Sequence, residues 1–483
     1  MNIKLKLTIV SFLQLFVWGA WLTTLASYGF GFKQWSGAEF GIVFSTLGIG
    51  SIIMPPISGI IADKYLNLEK LYGIHHILYG VILLFLPAID SPSTFFWVLL
   101  IGMMFYMPTL SLSNSLSYAV LKKFNFNVVK DYPPIRVWGT IGFIVAMWCT
   151  NLFSSVNPPD IFELGLNTRF LAVGEFFSNL TGMPIECNQF YIASFFAFVL
   201  GIFSFTLPKI EPTKDERTNK TFSQIFGLDA FKLFKESKMA MFFVFSMFLG
   251  AALQLTNMYG ETYIHDFGKV PAFVDTYAVT SANIILSISQ ISETIFILAI
   301  PFFLRRYGIK KVMLFSLIAW VFRFGFFAYG DPIGSLWMII MSNIVYGLAF
   351  DFFNISGSLF VETTTDSKIR SSAQGLFMMM TNGFGAILGS LGSGFLISSF
   401  FTFKFDTESS LLKFLNTDVS NKAYKKLIEY NAPVNGVFSN TVEIKDWHNI
   451  WLTFAIYALV IAVAFAILFK HKHNPKDVEA FNH

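Results

Sequence analysis

Three ionisable side chains lie deep inside otherwise apolar stretches of this chain: Arg136, Glu293 and Asp351. Arg136 stands in YPPIRVWGTIGF (Tyr132 to Phe143), just after a Pro-Pro pair suited to opening a helix. Thr140 and Phe143 follow at i+4 and i+7, so cation, hydroxyl and ring share one helical face. Gln254 and Asn257 recur at i, i+3, as do Gln290 and Glu293 in SISQISETIF, with Ser289 beside them. YGLAFDFFNISGS puts Tyr346, Phe350 and Asn354 on one face, with Asp351 about 100° round from Phe350. A rise of ~1.5 Å per residue places both acids near the middle of a bilayer. Charge at that depth is costly unless it faces protein or a watery chamber. Carboxylate and guanidinium bond hydroxyls strongly, and phenyl faces stack on flat rings. A solute with several hydroxyls and a flat ring would suit the set. An acid whose surroundings differ between inward and outward states could couple proton entry to solute entry.

Each residue also has a plainer reading. Arg136 can mark the cytoplasmic end of its span and snorkel to headgroups. Gln254 and Asn257 can be interhelical glue. Glu293 can form a static pair with Arg136 or a neighbouring helix, and Asp351 can bond serines or backbone nearby. Phe143 and Phe350 belong to a set of 59 phenylalanines, most of which must face lipid or core. Arg323, His75, His76 and Glu362 read as structural.

The elements that position these residues are membrane spans. The chain has 483 residues, 54% apolar and 13% charged, against about 25% charged in soluble domains. Runs of about 20 apolar residues predict twelve helices near 7–28, 38–61, 71–89, 94–118, 134–155, 188–207, 239–263, 276–303, 312–329, 335–361, 371–400 and 449–469. Of the 34 Lys and Arg, 23 fall on segments that are inside if both termini are cytoplasmic. The inner connection 208–238 divides the spans six and six. Its Phe222, Ile225, Phe226, Ala230 and Leu233 suit an amphipathic helix on the membrane face. The basic turns GIIADKYLNLEK (Gly59 to Lys70) and PFFLRRYGIKK (Pro301 to Lys311) occupy matching places in the two halves, as internal repeats of a transporter would. The reading is thus an all-α membrane protein with bundles at 1–207 and 239–483 around a central cavity. Outer insertions at about 156–187 and 401–448 are expected to form small caps.

Several classes fall away. A net charge of +4, dispersed, does not suit nucleic acid. Cys149 and Cys187 offer no metal spacing, and a disulfide between them is not expected. No inner segment is long enough for a signalling domain. No Ser/His/Asp, zinc or Gly-rich phosphate pattern supports an enzyme. The N-terminal apolar run is long for a signal peptide and reads as a retained helix.

The chain resembles the nucleoside:proton symporter family of the major facilitator superfamily, whose bacterial permeases reside in the inner membrane. The stretches that carry the likeness are FLQLFVWGAWLTTLASY, GIIADK, YMPTLSLSNSLSY, DYPPIRVWGTIGFIVAMW, GLDAFKLF, QLTNMYG, SISQISETIFILAIPFFLRRYGIKKVM, FAYGDP, YGLAFDFFNISGS and SAQGLFMMMTNGFG. The resemblance implies proton-driven import of purine and pyrimidine nucleosides such as uridine and adenosine by alternating access. A sugar or other polyhydroxylated solute is the alternative cargo. It also implies substrate contacts at Arg136, Thr140, Phe143, Gln254, Asn257, Gln290, Glu293, Tyr346 and Phe350, with Asp351 and Glu293 as the acids of proton coupling. GIIADK resembles the superfamily's loop motif, with Gly59, Asp63 and Lys64 at the cytoplasmic gate. No cofactor beyond the coupling proton is expected, nor any partner beyond solute and membrane lipid, and the chain is expected to be a monomer. The two outer insertions are a departure from the short connections of that family.

Overall fold

Backbone in lipid must satisfy its own hydrogen bonds, and the long apolar runs do so as helices. The computed structural model describes residues 2–155, 167–212, 228–366, 369–429 and 431–471. Helices α1 (Ile3–Gly19), α2 (Gly37–Lys64), α3 (Leu68–Phe85), α4 (Pro92–Lys123), α5 (Val128–Phe153), the short α6 (Asn167–Thr181) and α7 (Asn188–Ser204) form the first half. The second holds α8 (Ser237–Asp266), α9 (Ala282–Tyr329), α10 (Leu336–Thr364), α11 (Arg370–Met378), α12 (Ala386–Phe400) and, near the C-terminus, Trp447–Leu468. Among the described residues, ten segments are long and apolar enough to cross a membrane. The 48 residues of α9 are two of the expected spans, because the chain folds back at Gly308. There φ is 77° and ψ is 168°, which glycine adopts without strain. Counting α9 twice and adding α1 gives the twelve spans of a major facilitator fold.

One expectation about α5 needs correcting. The Pro-Pro pair does not open the helix. It begins at Val128, where the Asn127 side chain accepts a hydrogen bond from the Lys130 amide at 3.1 Å. Pro133 and Pro134 sit in the second turn, where the amides they lack would have bonded only the first residues of the helix. Arg136 consequently lies deeper along its helix than the prolines suggested.

The N-terminus, the start of α5 and the end of α7 meet at one end of the molecule. Lys4 pairs with Asp131 at 2.8 Å, and Lys6 donates to the Thr206 carbonyl at 2.5 Å. This is the termini end. The opposite end carries a small cap, in which β1 (Thr402–Thr407) runs antiparallel to β2 (Val437–Lys445). Helices α13 (Glu408–Leu415) and α14 (Lys422–Leu427) close it over Leu411, Tyr424, Leu427, Phe438 and Val442. The C-terminal spanning helix, α15 (Trp447–Leu468), follows directly. Of the connection between the halves, Leu228–Lys235 is a 3₁₀ helix that buries Ala230 and Leu233. Phe222, Ile225 and Phe226 lie outside the described residues.

Where the halves touch decides the state of the molecule. Helix α2 packs on α12, and α5 on α9. A methyl group on Gly41 would lie 2.5 Å from the Ser390 carbonyl, so only a small residue permits that approach. Four hydrogen bonds among the described residues cross between the halves. Ser27 donates to Glu261, the Ala38 amide to Ser398 (2.9 Å), Trp148 to Ser287 (3.0 Å) and Asn151 to the Thr280 carbonyl (3.2 Å). All four lie toward the cap end. Toward the termini end the first half instead closes on its own cluster of Leu7, Leu71, Leu116 and Leu200. The molecule is shut at the cap end and parted at the termini end.

Candidate functional site

Helix α5 supplies Arg136, exposed, and one turn on Thr140 and Phe143, both buried. Gly139 makes room for the cation, since a methyl group there would lie 2.9 Å from the Arg136 Nη1. Phe143 packs on Gly19 of α1. From the other half, α8 presents Gln254 and Asn257, joined to each other by a 3.3 Å hydrogen bond. Helix α9 presents Gln290 and Glu293, each half-buried. Helix α10 stacks Tyr346 on Phe350, with ring centroids 6.1 Å apart, and buries Asp351 at 5% exposure. The last two helices approach closely at the acid. A methyl group on Gly347 would lie 2.6 Å from the Glu293 amide nitrogen.

These residues share one electrostatic environment. The Arg136 guanidinium attracts both Glu293 and Asp351, and the two acids also act on each other. No ion pair within bonding range joins Arg136 to either acid among the described residues, and the Asp351 Oδ2 is buried there without a hydrogen-bond partner. Arg136 and the carboxylates of the opposite half are therefore within electrostatic reach of one another, with a gap beyond bonding range between them. Serine bonds to Asp351 are likewise absent among the described residues. A solute able to donate hydroxyls would satisfy that gap.

Arg323, expected to be structural, underlies this site. It is 1% exposed and donates to the Ser342 carbonyl at 2.8 Å, with Thr256 and Ser289 at 3.3 and 3.4 Å. Its guanidinium also lies 4.4 Å from the Tyr346 ring centroid, fixing that ring from behind. On the first half, the site wall includes residues the sequence reading passed over. Tyr118 and Tyr132 pack edge to face with ring centroids 4.6 Å apart, and Tyr132 donates to Asn114 at 2.5 Å. Their signal was the exposed polar face Ser111, Asn114, Ser115 and Tyr118 on α4. His76 bonds Gln14 at 2.9 Å, and His75 bonds the Phe105 carbonyl at 2.9 Å, within the first half's own core. Glu362 pairs with Arg370 at 2.9 Å. Of the loop motif, Gly59 faces open space and Lys64 ends α2; the side chain of Asp63 lies outside the described residues. Below the site, a cavity of about 480 Å³ at the termini end is lined by Asn354, Ser358, Glu362 and Gln374 of the second half. Among the described residues no cluster of His, Cys, Asp or Glu could hold a metal.

Comparison with known proteins bears on what such a site handles. The profile described as "Nucleoside H+ symporter" matches residues 1–417. The nucleoside permease NupG of Escherichia coli is 45% identical over 476 residues, covering 98% of this chain and 97% of that protein. The xanthosine permease of the same organism is 43% identical over 480 residues, covering 99% of each. The crystal structure of nucleoside transporter NupG superposes with a TM-score of 0.77 at 43% identity, covering 98% of this chain and all of that one. A bacterial homologue of the lysosomal transporter Spinster shares the fold at 11% identity, with a TM-score of 0.63 over 98% of this chain and 97% of that one. With a family profile spanning most of its length and relatives this similar end to end, the chain belongs to the nucleoside H+ symporter family.

Proposed function

We propose that this protein imports nucleosides, uridine and adenosine among them, by coupling their entry to that of protons through alternating access. The observation that carries the reading is the gap itself. A cation from one half and two carboxylates from the other attract across it without meeting, at the seam where the halves must rock. In this reading Arg136, Glu293 and Gln290 bond ribose hydroxyls and base edges, and Gln254 and Asn257 add amide contacts. Tyr346, Phe350 and Phe143 flank the ring, and Thr140 supplies a hydroxyl beside Arg136. Asp351, with Glu293 close by, carries the proton. Removing solute leaves the carboxylates facing Arg136 unsatisfied, so loaded and empty carriers differ in the cost of closing.

The termini end faces the cytoplasm in this assignment, as the distribution of Lys and Arg supports. The conformation is then the releasing one, closed outside and open inside. The proton is the coupling ion, no cofactor takes part, and the monomer is the working unit. The membrane is the bacterial inner membrane.

Uptake of radiolabelled uridine and adenosine in nucleoside-transport-deficient cells tests this directly. Accumulation is expected, and an uncoupler should abolish it. Cells that take up no nucleoside, or accumulate it equally well with the gradient collapsed, would refute the proposal. Competition by sugars in the same assay separates the alternative cargo.

A further inference from the structure

A second cavity, of about 720 Å³, lies at the cap end, and nothing in the mechanism above uses it. Its walls come from both halves and from the cap: Asn151 of α5 and Ser154 just after it, Glu261 and His265 of α8, Asn283 of α9 and Lys426 of α14. Sites for small molecules are usually about 300–1,000 Å³. The cross-half bonds Trp148 to Ser287 and Asn151 to the Thr280 carbonyl stand between it and the Arg136 gap. The two spaces are therefore separate rooms in this conformation.

The polar faces of two helices run from one room to the other. Gln254, Asn257 and Glu261 fall at i, i+3 and i+7 on α8. Asn283, Ser287 and Gln290 fall at i, i+4 and i+7 on α9. The outer ends of these stripes are buried. Glu261 is 7% exposed and accepts from Ser27 of the first half. Asn283 is 2% exposed, and neither its Oδ1 nor the Ser154 Oγ has a hydrogen-bond partner among the described residues. Orphaned polar atoms at a cavity wall call for a hydrogen-bonding occupant. Charge narrows what that occupant is. The three lysines of α14 face the carboxylates of Glu186, Glu261, Asp275 and Glu429, so the lining gives no net pull on an anion. Tyr28 and Phe32, with ring centroids 5.5 Å apart, add an aromatic wall.

We propose that this cavity is an outer capture site for an uncharged nucleoside, held there by Glu261 and Asn283 before the cap end opens to the central gap. The inference rests on the nucleoside reading above and adds a second bound solute per chain.

Equilibrium binding of labelled uridine to the purified full-length protein tests it by stoichiometry. Two uridines per chain are expected for the wild type, and one for Asn283→Ala, Glu261→Gln or Glu293→Gln. In cells, Asn283→Ala should raise the KM for uridine entry about tenfold, the weight of one good hydrogen bond to a charged or buried group, with the maximal rate within about twofold. Asn283→Ala leaves every cross-half bond intact, so it reports even where Glu261→Gln fails to fold. One uridine per wild-type chain, unaltered by Asn283→Ala and lost in Glu293→Gln, would leave the central site standing and reduce the outer cavity to a pool of water. Failure of the wild type to bind uridine at all would remove the nucleoside reading itself, and this site with it.

Discussion

Arg136 and Glu293 are worth most because they do not touch. A guanidinium at the centre of a bilayer costs at least about 3 kcal/mol, and a direct buried pair would already offset much of that. Here no ion pair forms within bonding range among the described residues, so the site stays polar and charged until something enters. Glu293→Gln keeps the shape and removes the charge. Uridine accumulation should fall to background while the variant still inserts, and normal uptake would take Glu293 out of the site. Asp351→Asn separates the two tasks of a symporter. Accumulation against a gradient should collapse, whereas exchange of labelled for unlabelled uridine across the membrane should persist; equal losses in both assays would speak against a proton role. Arg136→Ala deletes a charge-assisted hydrogen bond of about 1.5–3 kcal/mol, so calorimetry in detergent should show uridine affinity weakened roughly ten- to hundredfold.

At the scale of elements, the backbone approach of α9 and α10 holds Glu293 in place. Gly347→Ala sets a methyl group against the Glu293 amide. Overpacking of this kind costs about 1–3 kcal/mol, and the displaced acid should lower uptake as well as melting temperature. A variant that melts early yet transports normally would show that the contact serves stability alone. The cap offers a test of a different sort. Lys445 is 6% exposed, its ammonium 4.1 Å from the Phe30 ring centroid, and burial lowers it from its ordinary value to about 8. Below that pH the fold carries a buried charge. Between about 8 and the unfolded value near 10.4 the native lysine has lost its proton while the unfolded one keeps it, so stability from this group rises with pH. Lys445→Met should therefore melt a few degrees above the wild type at pH 7, and the advantage should shrink toward pH 9. A constant difference across that window would assign the effect to packing.

For the whole molecule, four cross-half hydrogen bonds and the glycine-lined contact of α2 with α12 hold the cap end shut. Each such bond is worth about 1 kcal/mol net, whereas moving a two-state equilibrium from 1:99 to 99:1 takes about 5.5 kcal/mol. The closure is thus a sum of small terms that solute and proton binding can outweigh. Ser287→Ala removes the acceptor of Trp148 and should shift the population toward the outward state about fivefold. Spin labels at Ser93 and Lys404, on the two halves at the cap end, should report a larger fraction of long distances. An unchanged distribution would mean that α2 and α12 alone keep the seam closed.

The sequence by itself determined the helical spans of the fold and which charged groups its apolar runs carry. Apolar length, lysine placement and the rarity of buried charge are local properties that survive without coordinates. Arg136, Glu293 and Asp351 were legible for that reason, since lipid tolerates so few groups of their kind. Helix entry was less legible: the Asn127 cap won over the proline pair because a cap supplies an acceptor that prolines do not. Only the tertiary structure decided that Arg323 braces Tyr346, that tyrosines of α4 and α5 pack edge to face, and that a polar room stands at the cap end. It alone decided which end is shut. Those facts depend on which faces meet across helices far apart in the chain, and periodicity within one helix carries no information about its neighbour.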